Sequence, residues 1–422
     1  MKPIFNISRQ NTSKPTPYTL HLTTIRHNCT FRLSPFTFRL LPFTFCLLFA
    51  YSTAFAQQPT LGCERTSTYL PSLKGKNVAL VVNHTTIFGN GRHLADSLLA
   101  LGINIKIIFA PEHGFRGNAS AGETIANGLD AKTGLPIASL YGKNKKPSSE
   151  QLKDVEVVIF DIQDVGVRYY TYPSTMHYVM EACAENGKKC LIFDRPNPNG
   201  HYVAGPVLNR KFASFVGMNP VPVVHGLTSG ELAQMINQEG WLNGGKQCNL
   251  EVVTCQNYTH KMTYDLPVAP SPNLPNRQAI LLYPSICLFE GTNVSVGRGT
   301  DAQFQVVGGL NAAFGSYSFT PVDKPGAANP PNEGKLCYGL DLRQIDALKE
   351  GFTLKYVLDF YQKSGEKEKF FTSPSFFDKL AGTDQVRLQI IAGKTEKQIC
   401  KSWESDLKKF KELRKKYLLY AD

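Results

Sequence analysis

Apolar stretches of strand length alternate with helical patterns in the first half of the chain. Runs composed mainly of apolar residues occupy residues 78–82, 105–109, 155–160, 190–193 and 221–224, with Lys106 and Glu156 as the charged exceptions. Residues 93–102, 174–186 and 229–239 instead place apolar side chains at helical spacing, with Gly187 after the second segment and Ser229 as a candidate N-cap of the third. Strands without polar alternation are typical of a parallel sheet whose two faces are covered by helices. The pattern therefore predicts an α/β fold with a mostly parallel sheet.

The pattern of the sequence changes after Gly240, where the periodic segments become short and are interrupted by Gly, Pro and Asn. Helical spacing returns at about residues 342–349, 353–364 and 396–414. We therefore expect a domain boundary near Gly244. The predicted parts are an α/β domain at residues 57–244 and a smaller α+β domain at residues 245–422.

Residues 1–56 have the pattern of a cleavable secretory signal. The run LLPFTFCLLFAYSTAFA follows Arg32 and Arg39 and ends on an A-x-A site at residues 54–56. It is too short to span a bilayer comfortably, so we expect cleavage before Gln57, export to the periplasm or release from the cell, and no membrane insertion of the mature chain. Since this segment holds six Lys and Arg residues and no acid, it supplies half of the net charge of +12. The remaining charge gives no indication of a nucleic-acid partner.

Cofactor motifs are missing from the sequence. Residues 88–94 (FGNGRHL) have the first two glycines of the dinucleotide motif GxGxxG but not the third, and there is no Walker A motif. The eight cysteines after residue 56 include no CxxC pair and no zinc-binding spacing with His. Cys183 lies near Cys190, and Cys248 near Cys255, but spacing does not fix a disulfide pairing. We expect structural cysteines, no metal and no cofactor.

Polar and ionisable residues follow each of the first four predicted strands. Parallel strands end at the same edge of a sheet, where open α/β proteins bind their ligands, so these residues are expected to meet there. Asp161 and Asp194 are the ones most expected to be structural, because an Asp after a strand often caps the next loop. The residues that follow the strands are Asn83, His84, Thr85, Glu112, His113, Arg116, Asp161, Gln163, Asp164, Arg168, Asp194, Arg195 and Asn197.

Glu112 is the strongest candidate for acid catalysis at this edge. It lies between Pro111 and His113 directly after an apolar strand, where partial burial would suit a general acid. The structural alternative is a salt bridge to Arg116.

Two loops add candidate binding groups. The segment RYYTY contains Arg168 with Tyr169, Tyr170 and Tyr172, and tyrosine rings suit stacking on sugars as well as packing on a neighbouring domain. The loops at residues 290–293 and 297–300 are predicted to face the first domain, and clefts between domains are common ligand sites.

Eight motifs together resemble one known family over the chain from about Gly62 onward. They are VVNHT, APEHGFRG, FDIQDVGVRYYTY, DRPNP, HGLTSGE, PSPNLP, FEGTNVSVGRGT and KKYLLY. The sequence is similar to exo-β-N-acetylmuramidases of the NamZ type, glycoside hydrolase family 171. The resemblance implies a Rossmann-like N-terminal domain, a smaller C-terminal domain and an active site in the cleft between them. It also implies hydrolytic release of N-acetylmuramic acid from the non-reducing ends of peptidoglycan fragments.

The resemblance also suggests roles for individual residues. By its place in the PEHG motif, Glu112 corresponds to the family's candidate catalytic acid. Its partner is expected to be Asp164 or Glu290, or else the substrate's own 2-acetamido group, polarised by Asp164, Tyr172 or His113. For the lactyl carboxylate of muramic acid we expect an arginine, with Arg168 as the first candidate, Arg298 as the second, and Arg116 and Arg195 as alternatives. The other expected substrate-binding residues are Asn83, His84, Gln163, Tyr169, Tyr170, Asn273 and Thr292.

Two other classes of function remain open at the level of sequence. A metal-dependent hydrolase could use His84, His113, Asp161 and Asp164, although no HxH or HExxH spacing supports it. A periplasmic sugar-binding protein without catalysis would also need an α/β sheet domain. Its second lobe usually repeats the β-α pattern, which residues 245–422 do not show.

Overall fold

A mostly parallel sheet forms the centre of the N-terminal half of this computed structural model, which describes residues 58–115 and 127–422. Within these residues the sheet has seven strands in the order β3-β4-β2-β1-β5-β6-β7, and only β3 runs antiparallel to its neighbour. The strands are β1 Asn77–Val82, β2 Asn104–Ala110, β3 Gly128–Leu129, β4 Pro136–Ser139, β5 Val157–Asp161, β6 Lys189–Phe193 and β7 Asn249–Val253. The predicted α/β fold with a mostly parallel sheet is confirmed.

Helices cover both faces of this sheet, as the bare apolar strands predict. In β1, Val78 and Leu80 belong to a core cluster with residues of α1 and α2, whereas Ala79 and Val81 belong to a cluster with residues of α3 and α4. Successive residues of a strand point to opposite faces, so a strand buried on both sides must be apolar throughout. These helices are α1 Thr66–Leu73, α2 Leu94–Ala100, α3 Tyr172–Asn186 and α4 Ser229–Gln238.

The local signals at the ends of α3 and α4 explain where these helices start and stop. Gly187 ends α3 in a left-handed conformation (φ 62°), as expected for a glycine after a helix. The N-cap of α4 is Thr228 rather than Ser229, because Thr228 and Glu231 form a reciprocal capping box. The run at 221–224 is not a strand: Val224 makes only isolated bridges, to Val167 and Ala204.

The C-terminal half is α+β, as predicted. In the described part of the chain it contains a three-stranded antiparallel sheet of order β8-β10-β9. Its strands are β8 Val306–Gly309, β9 Tyr317–Phe319 and β10 Cys337–Asp341. Its helices are α5 Arg277–Ile286, α6 Ala347–Glu350, α7 Lys355–Lys363, α8 Pro374–Ala381, α9 Gln385–Ile391 and α10 Glu396–Arg414. The division at residue 244 stays a prediction, and the large sheet continues past it through β7.

Two of the sequence-based expectations concern residues that the structure does not describe. The proposed signal at residues 1–56 and Arg116 lie outside the described residues. No helix among the described residues has the length and apolar character to cross a membrane. The described cysteines are free thiols, and the sulfur atoms of Cys183, Cys190 and Cys248 lie within 4.8 Å of one another in the core.

Candidate active site

A cavity of about 650 Å³ lies where the carboxyl ends of the parallel strands face the C-terminal half. Its volume is within the range typical of small-molecule sites. From the N-terminal half it is lined by Glu112, Tyr141, Lys145, Tyr169, Thr171 and Phe215, and from the C-terminal half by residues that include Tyr283, Glu290, Thr292, Arg298 and Phe376. An adjoining recess of about 60 Å³ shares Glu112, Tyr169 and Arg298 with the cavity and adds His113, Tyr170, Tyr172 and Asn273.

Glu112 lies at the junction of the cavity and the recess. It follows the end of β2, and the next two residues, His113 (φ 69°) and Gly114 (φ 78°), both have left-handed backbone conformations. Left-handed geometry is uncommon for a non-glycine residue and is found most often in tight turns and functional sites. The chain therefore turns away sharply after Glu112. The hydroxyl of Thr171 donates a 2.7 Å hydrogen bond to Glu112 Oε2, which helps to orient the carboxyl group.

Tyr141 lies next to Glu112, although the sequence did not mark it. Burial raises the pKa of Tyr141, and the charge of Glu112 and a hydrogen bond to it raise this pKa further. Tyr141 therefore remains a neutral phenol near the candidate acid. It follows β4, which ends at the same edge as β2. This strand is short and begins with Pro136, so its apolar run was too weak to be recognised.

Glu290 and Arg298 form an ion pair on the opposite wall. Arg298 Nε donates to Glu290 Oε1 at 2.6 Å, and the guanidinium carbon lies 5.0 Å from the centre of the Phe304 ring. Burial lowers the pKa of Arg298, but the Glu290 carboxylate outweighs this effect and the net shift is upward. The two loops at residues 290–293 and 297–300 thus supply a second carboxylate, held close to a cation. Thr292 also lines the cavity, and its hydroxyl donates to Phe289 O at 2.7 Å.

The three tyrosines of the RYYTY segment are buried, and their hydroxyls bind backbone of the C-terminal half. Tyr169 donates to Pro284 O, while Tyr170 and Tyr172 donate to Pro270 O at 2.9 Å and 3.2 Å. The Tyr169 ring meets Tyr283 edge to face at 5.4 Å. Packing between the two halves is therefore their main role in the structure. All three also contribute to the walls of the cavity or the recess.

Arg168 does not reach the cavity, which corrects its choice as first candidate for the carboxylate. Its side chain is buried, and its guanidinium donates to the carbonyl oxygens of Pro206 (2.7 Å), Val221 (2.8 Å) and Leu380 (2.8 Å). Burial lowers the pKa of Arg168 to about 10. Because these carbonyls occupy both terminal nitrogens, Arg168 joins chain segments instead of binding a ligand.

Arg195 is corrected for a similar reason. It forms a buried ion pair with Asp161, with a 2.9 Å hydrogen bond from one terminal nitrogen to Asp161 Oδ2. It lines neither the cavity nor the recess. The expectation that Asp161 and Asp194 are structural fits this geometry, since Asp194 accepts hydrogen bonds from Thr228 and Tyr420 inside the core.

Of the other residues predicted to bind substrate, Asn83 and Gln163 line neither the cavity nor the recess. Asn83 donates to the Tyr172 hydroxyl at 2.9 Å, and Gln163 donates to the carbonyls of Asp164 and Pro196. Asn273 does line the recess, and its amide donates to Gly326 O at 2.8 Å. The structure thus places Asn83 and Gln163 in supporting positions.

Asp164 is buried and His84 is half-buried, and neither residue lines the cavity or the recess. Burial raises the pKa of Asp164 to about 7, and the backbone N–H groups of Gly166 and Val165 only partly offset this. Asp164 Oδ2 accepts from the Gly166 N–H, whereas Oδ1 has no hydrogen-bond partner among the described residues. His84 Nε2 lies 2.8 Å from Ala269 O, and burial lowers its pKa.

The residues considered for a metal hydrolase are not arranged around one point. Asp161 is paired with Arg195, and His84 binds a carbonyl oxygen. Within the described ranges, His84, His113, Asp161 and Asp164 do not form a group whose ligand atoms lie close enough for one ion. Their geometry therefore does not favour metal-dependent hydrolysis.

Lys145 and Phe215 form a rim of the cavity that the sequence did not indicate. Lys145 Nζ lies 4.7 Å from the centre of the Phe215 ring. That ring stacks on Tyr178 at 6.3 Å and meets Tyr141 at 6.0 Å. Both Lys145 and Phe215 are in loops without strand or helix periodicity, so no sequence pattern places them together.

Comparison with known protein families identifies the chain. Sequence models of the N-terminal and C-terminal domains of the exo-β-N-acetylmuramidase NamZ match residues 78–278 and 281–420. The chain belongs to the NamZ family. It is 40% identical to the peptidoglycan β-N-acetylmuramidase NamZ of Bacillus subtilis strain 168, over 83% of this chain and 89% of that protein.

Solved structures agree with this assignment to the NamZ family. A crystal structure of a DUF1343 family protein from Bacteroides fragilis NCTC 9343 has a TM-score of 0.80 at 49% identity, and covers 87% of this chain and 100% of that one. A second DUF1343 family protein from the same strain has a TM-score of 0.75 at 28% identity, covering 86% and 99%. The fold is therefore shared over nearly the whole of both relatives.

Proposed function

We propose that this chain is an exo-acting glycoside hydrolase that releases N-acetylmuramic acid from the non-reducing ends of peptidoglycan fragments. The observation that carries the proposal is that Glu112 and Glu290, from opposite halves of a NamZ-family chain, line one cavity. Most glycosidases work with two carboxyl groups on either side of the glycosidic bond. The faces of Tyr141 and Tyr169 also suit contact with a sugar ring.

Glu112 is the proposed general acid. It is the carboxyl group shared by the cavity and the recess, it is oriented by Thr171, and it lies beside the neutral phenol of Tyr141. Protonation of the glycosidic oxygen by a positioned acid contributes about a hundredfold to ten-thousandfold to the rate.

Glu290 is the better of the two proposed carboxylate partners. It lines the cavity, whereas Asp164 lies behind the wall. The ion pair with Arg298 holds the Glu290 carboxylate in position on the cavity wall, which suits a group that stabilises positive charge at the anomeric carbon. Tyr172 and His113, in the recess beside Glu112, remain the proposed groups for positioning the 2-acetamido group.

The function is tested with the variant Glu112→Gln and two substrates. We expect kcat on a muramyl disaccharide to fall by about a hundredfold to ten-thousandfold. A chromogenic aryl muramide has a leaving group that needs little protonation, so its kcat should fall much less. Glu156→Gln changes an exposed carboxyl group directly before β5, at the amino ends of the strands and away from the cavity. It serves as the matched control and should behave like the wild type. An equal fall in kcat on both substrates, or full activity of Glu112→Gln, would contradict the role of Glu112 as general acid.

Export is the second part of the proposal. Peptidoglycan lies outside the cytoplasmic membrane, and the sequence of residues 1–56 has the basic, apolar and A-x-A pattern of a cleavable secretory signal. N-terminal sequencing of the protein from periplasmic and culture fractions should show Gln57 as the first residue. A mature protein that retains residues 1–56 would contradict a cleaved signal.

A further inference from the structure

Two cationic side chains line the cavity among the described residues, Lys145 and Arg298. Arg298 already has a carboxylate partner, since Glu290 lies 2.6 Å from its Nε. A substrate carboxylate at this position would have to compete with Glu290. Arg168 and Arg195 are buried elsewhere and are occupied by backbone carbonyls and by Asp161. Among the described residues, Lys145 is therefore the cation best placed to bind a substrate anion.

Lys145 has no carboxylate within ion-pair distance in the described part of the chain. Its neighbour Lys146 differs, because Lys146 Nζ binds Glu181 at 2.9 Å and Glu185 at 2.8 Å. The Lys145 ammonium instead lies 4.7 Å from the Phe215 ring centre, on the wall of the cavity. A cation held over an aromatic ring keeps its charge and remains able to bind an anion.

Phe215 is held in place by its neighbours and supplies an apolar surface beside this charge. It stacks on Tyr178, with 16° between the ring planes, and its ring centre lies 6.0 Å from that of Tyr141. Val216 lines the same part of the cavity. The pair Lys145 and Phe215 thus places one positive charge next to an apolar wall.

Tyr141 links this pair to the candidate acid. Its hydroxyl interacts with Glu112, and its ring centre lies 6.0 Å from that of Phe215. The acid and the Lys145–Phe215 pair are therefore separated by about the length of one tyrosine side chain. A pyranose ring spans a similar distance, and in a muramyl residue the lactyl ether is on C3 while the glycosidic oxygen is on C1.

We propose that Lys145 and Phe215 form the subsite for the lactyl group of the muramyl residue. Lys145 Nζ binds the lactyl carboxylate, and the Phe215 ring contacts the lactyl methyl group. This assignment rests on the proposed function, and it replaces the arginines considered from the sequence. A charged hydrogen bond of this kind discriminates by about tenfold to a hundredfold.

The test crosses one variant with two substrates. Lys145→Met keeps the length of the side chain and removes the charge. The substrates are a chromogenic β-N-acetylmuramide with a free lactyl acid and the same compound as its lactyl amide. For the wild type we expect kcat/KM to favour the acid by about tenfold to a hundredfold. In Lys145→Met this preference should vanish, mainly through KM, while the amide is cleaved as before.

Matched variants separate this effect from a general loss of structure. Lys143→Met removes an exposed charge from the same loop and should keep the preference for the acid. Lys145→Arg should restore part of it. Phe215→Ala should lower the preference for the lactyl ether over its desmethyl analogue by about fourfold, the value of one buried methylene-sized group. An unchanged acid-to-amide ratio in Lys145→Met would overturn the assignment.

Binding measurements keep this test separate from that of the proposed function. Calorimetric titration with N-acetylmuramic acid and N-acetylglucosamine needs no turnover. Tighter binding of the muramic acid by the wild type, with the difference lost in Lys145→Met, would support the subsite even if no hydrolysis occurred. Equal affinities of the wild type for the two sugars would overturn it, even if the muramide were cleaved.

Discussion

The carboxyl group of Asp164 is buried without a partner for Oδ1 among the described residues, and this makes stability depend on pH. Its pKa is raised from 3.8 in an unfolded chain to about 7 in the fold. Below about pH 4 the group is protonated in both states. As pH rises toward about 7, the unfolded chain loses its proton first, so the folded state loses stability by up to about 1.4 kcal/mol per pH unit.

Asp164→Asn should remove this dependence. The free energy of unfolding in urea, measured at several values between about pH 4 and pH 7, is expected to fall less steeply with pH in the variant than in the wild type. Asp265→Asn, at an exposed position, is the control and should keep the wild-type slope. Parallel curves for Asp164→Asn and the wild type would contradict the raised pKa.

At the scale of single residues, the sequence locates the candidate catalytic acid, but it does not show which arginine is free to bind a ligand. Glu112 follows an apolar strand, and the carboxyl edge of a parallel sheet is a general ligand site, so its place could be predicted. Arg168 could not be judged in this way. Its carbonyl partners are 38, 53 and 212 residues away along the chain. Whether a guanidinium is free or occupied depends on such distant contacts.

At the scale of elements, the turn after α8 is constrained by Arg168. Gly382 has a φ of 76°, and a Cβ there would lie 2.6 Å from a terminal nitrogen of Arg168. Gly393, after α9, has a similar φ of 69° but no atom within 4 Å of such a Cβ. Alanine at either position would therefore adopt a strained left-handed backbone, but only alanine at position 382 would also collide with Arg168.

Gly382→Ala is expected to destabilise the protein more than Gly393→Ala. The left-handed backbone alone costs about 1 to 2 kcal/mol for alanine, and displacing the guanidinium from its carbonyls adds about 1 to 3 kcal/mol. Urea unfolding of both variants against the wild type measures the difference. If both variants lost the same free energy of unfolding, the hydrogen bonds from Arg168 to the backbone carbonyls would contribute little to stability.

Strong periodic elements were predicted, and short or irregular ones were missed. The bare strands β1, β2, β5 and β6 and the helix α10 follow directly from apolar spacing. In contrast, β4 begins with Pro136, and β7 has the sequence NLEVV, in which polar residues interrupt the apolar ones. Such short strands give a weak apolar signal, so neither β4 nor β7 is predicted from the sequence.

For the whole molecule, the predicted layers were correct, while the cavity was predicted only in part. The loops at residues 290–293 and 297–300 do face the sheet edge, as two polar, glycine-bearing turns indicated. The rim of Lys145 and Phe215 was missed, because these residues are 70 positions apart in loops without periodicity. Their proximity results from the packing of whole segments rather than from any local pattern.

The hydrogen bonds of Arg168 connect the two halves of the chain that line the cavity. Its bond to Leu380 O ties α8 to loops of the N-terminal half, and the hydroxyls of Tyr169 and Tyr170 do the same for residues 270–284. Moving the halves apart would leave the buried Arg168 guanidinium without part of its hydrogen-bond partners, at a cost of about 3 to 5 kcal/mol. The protein therefore meets its ligand with the binding surface already assembled. We therefore expect ligand binding without a preceding conformational step, so that the observed binding rate rises in proportion to the ligand concentration.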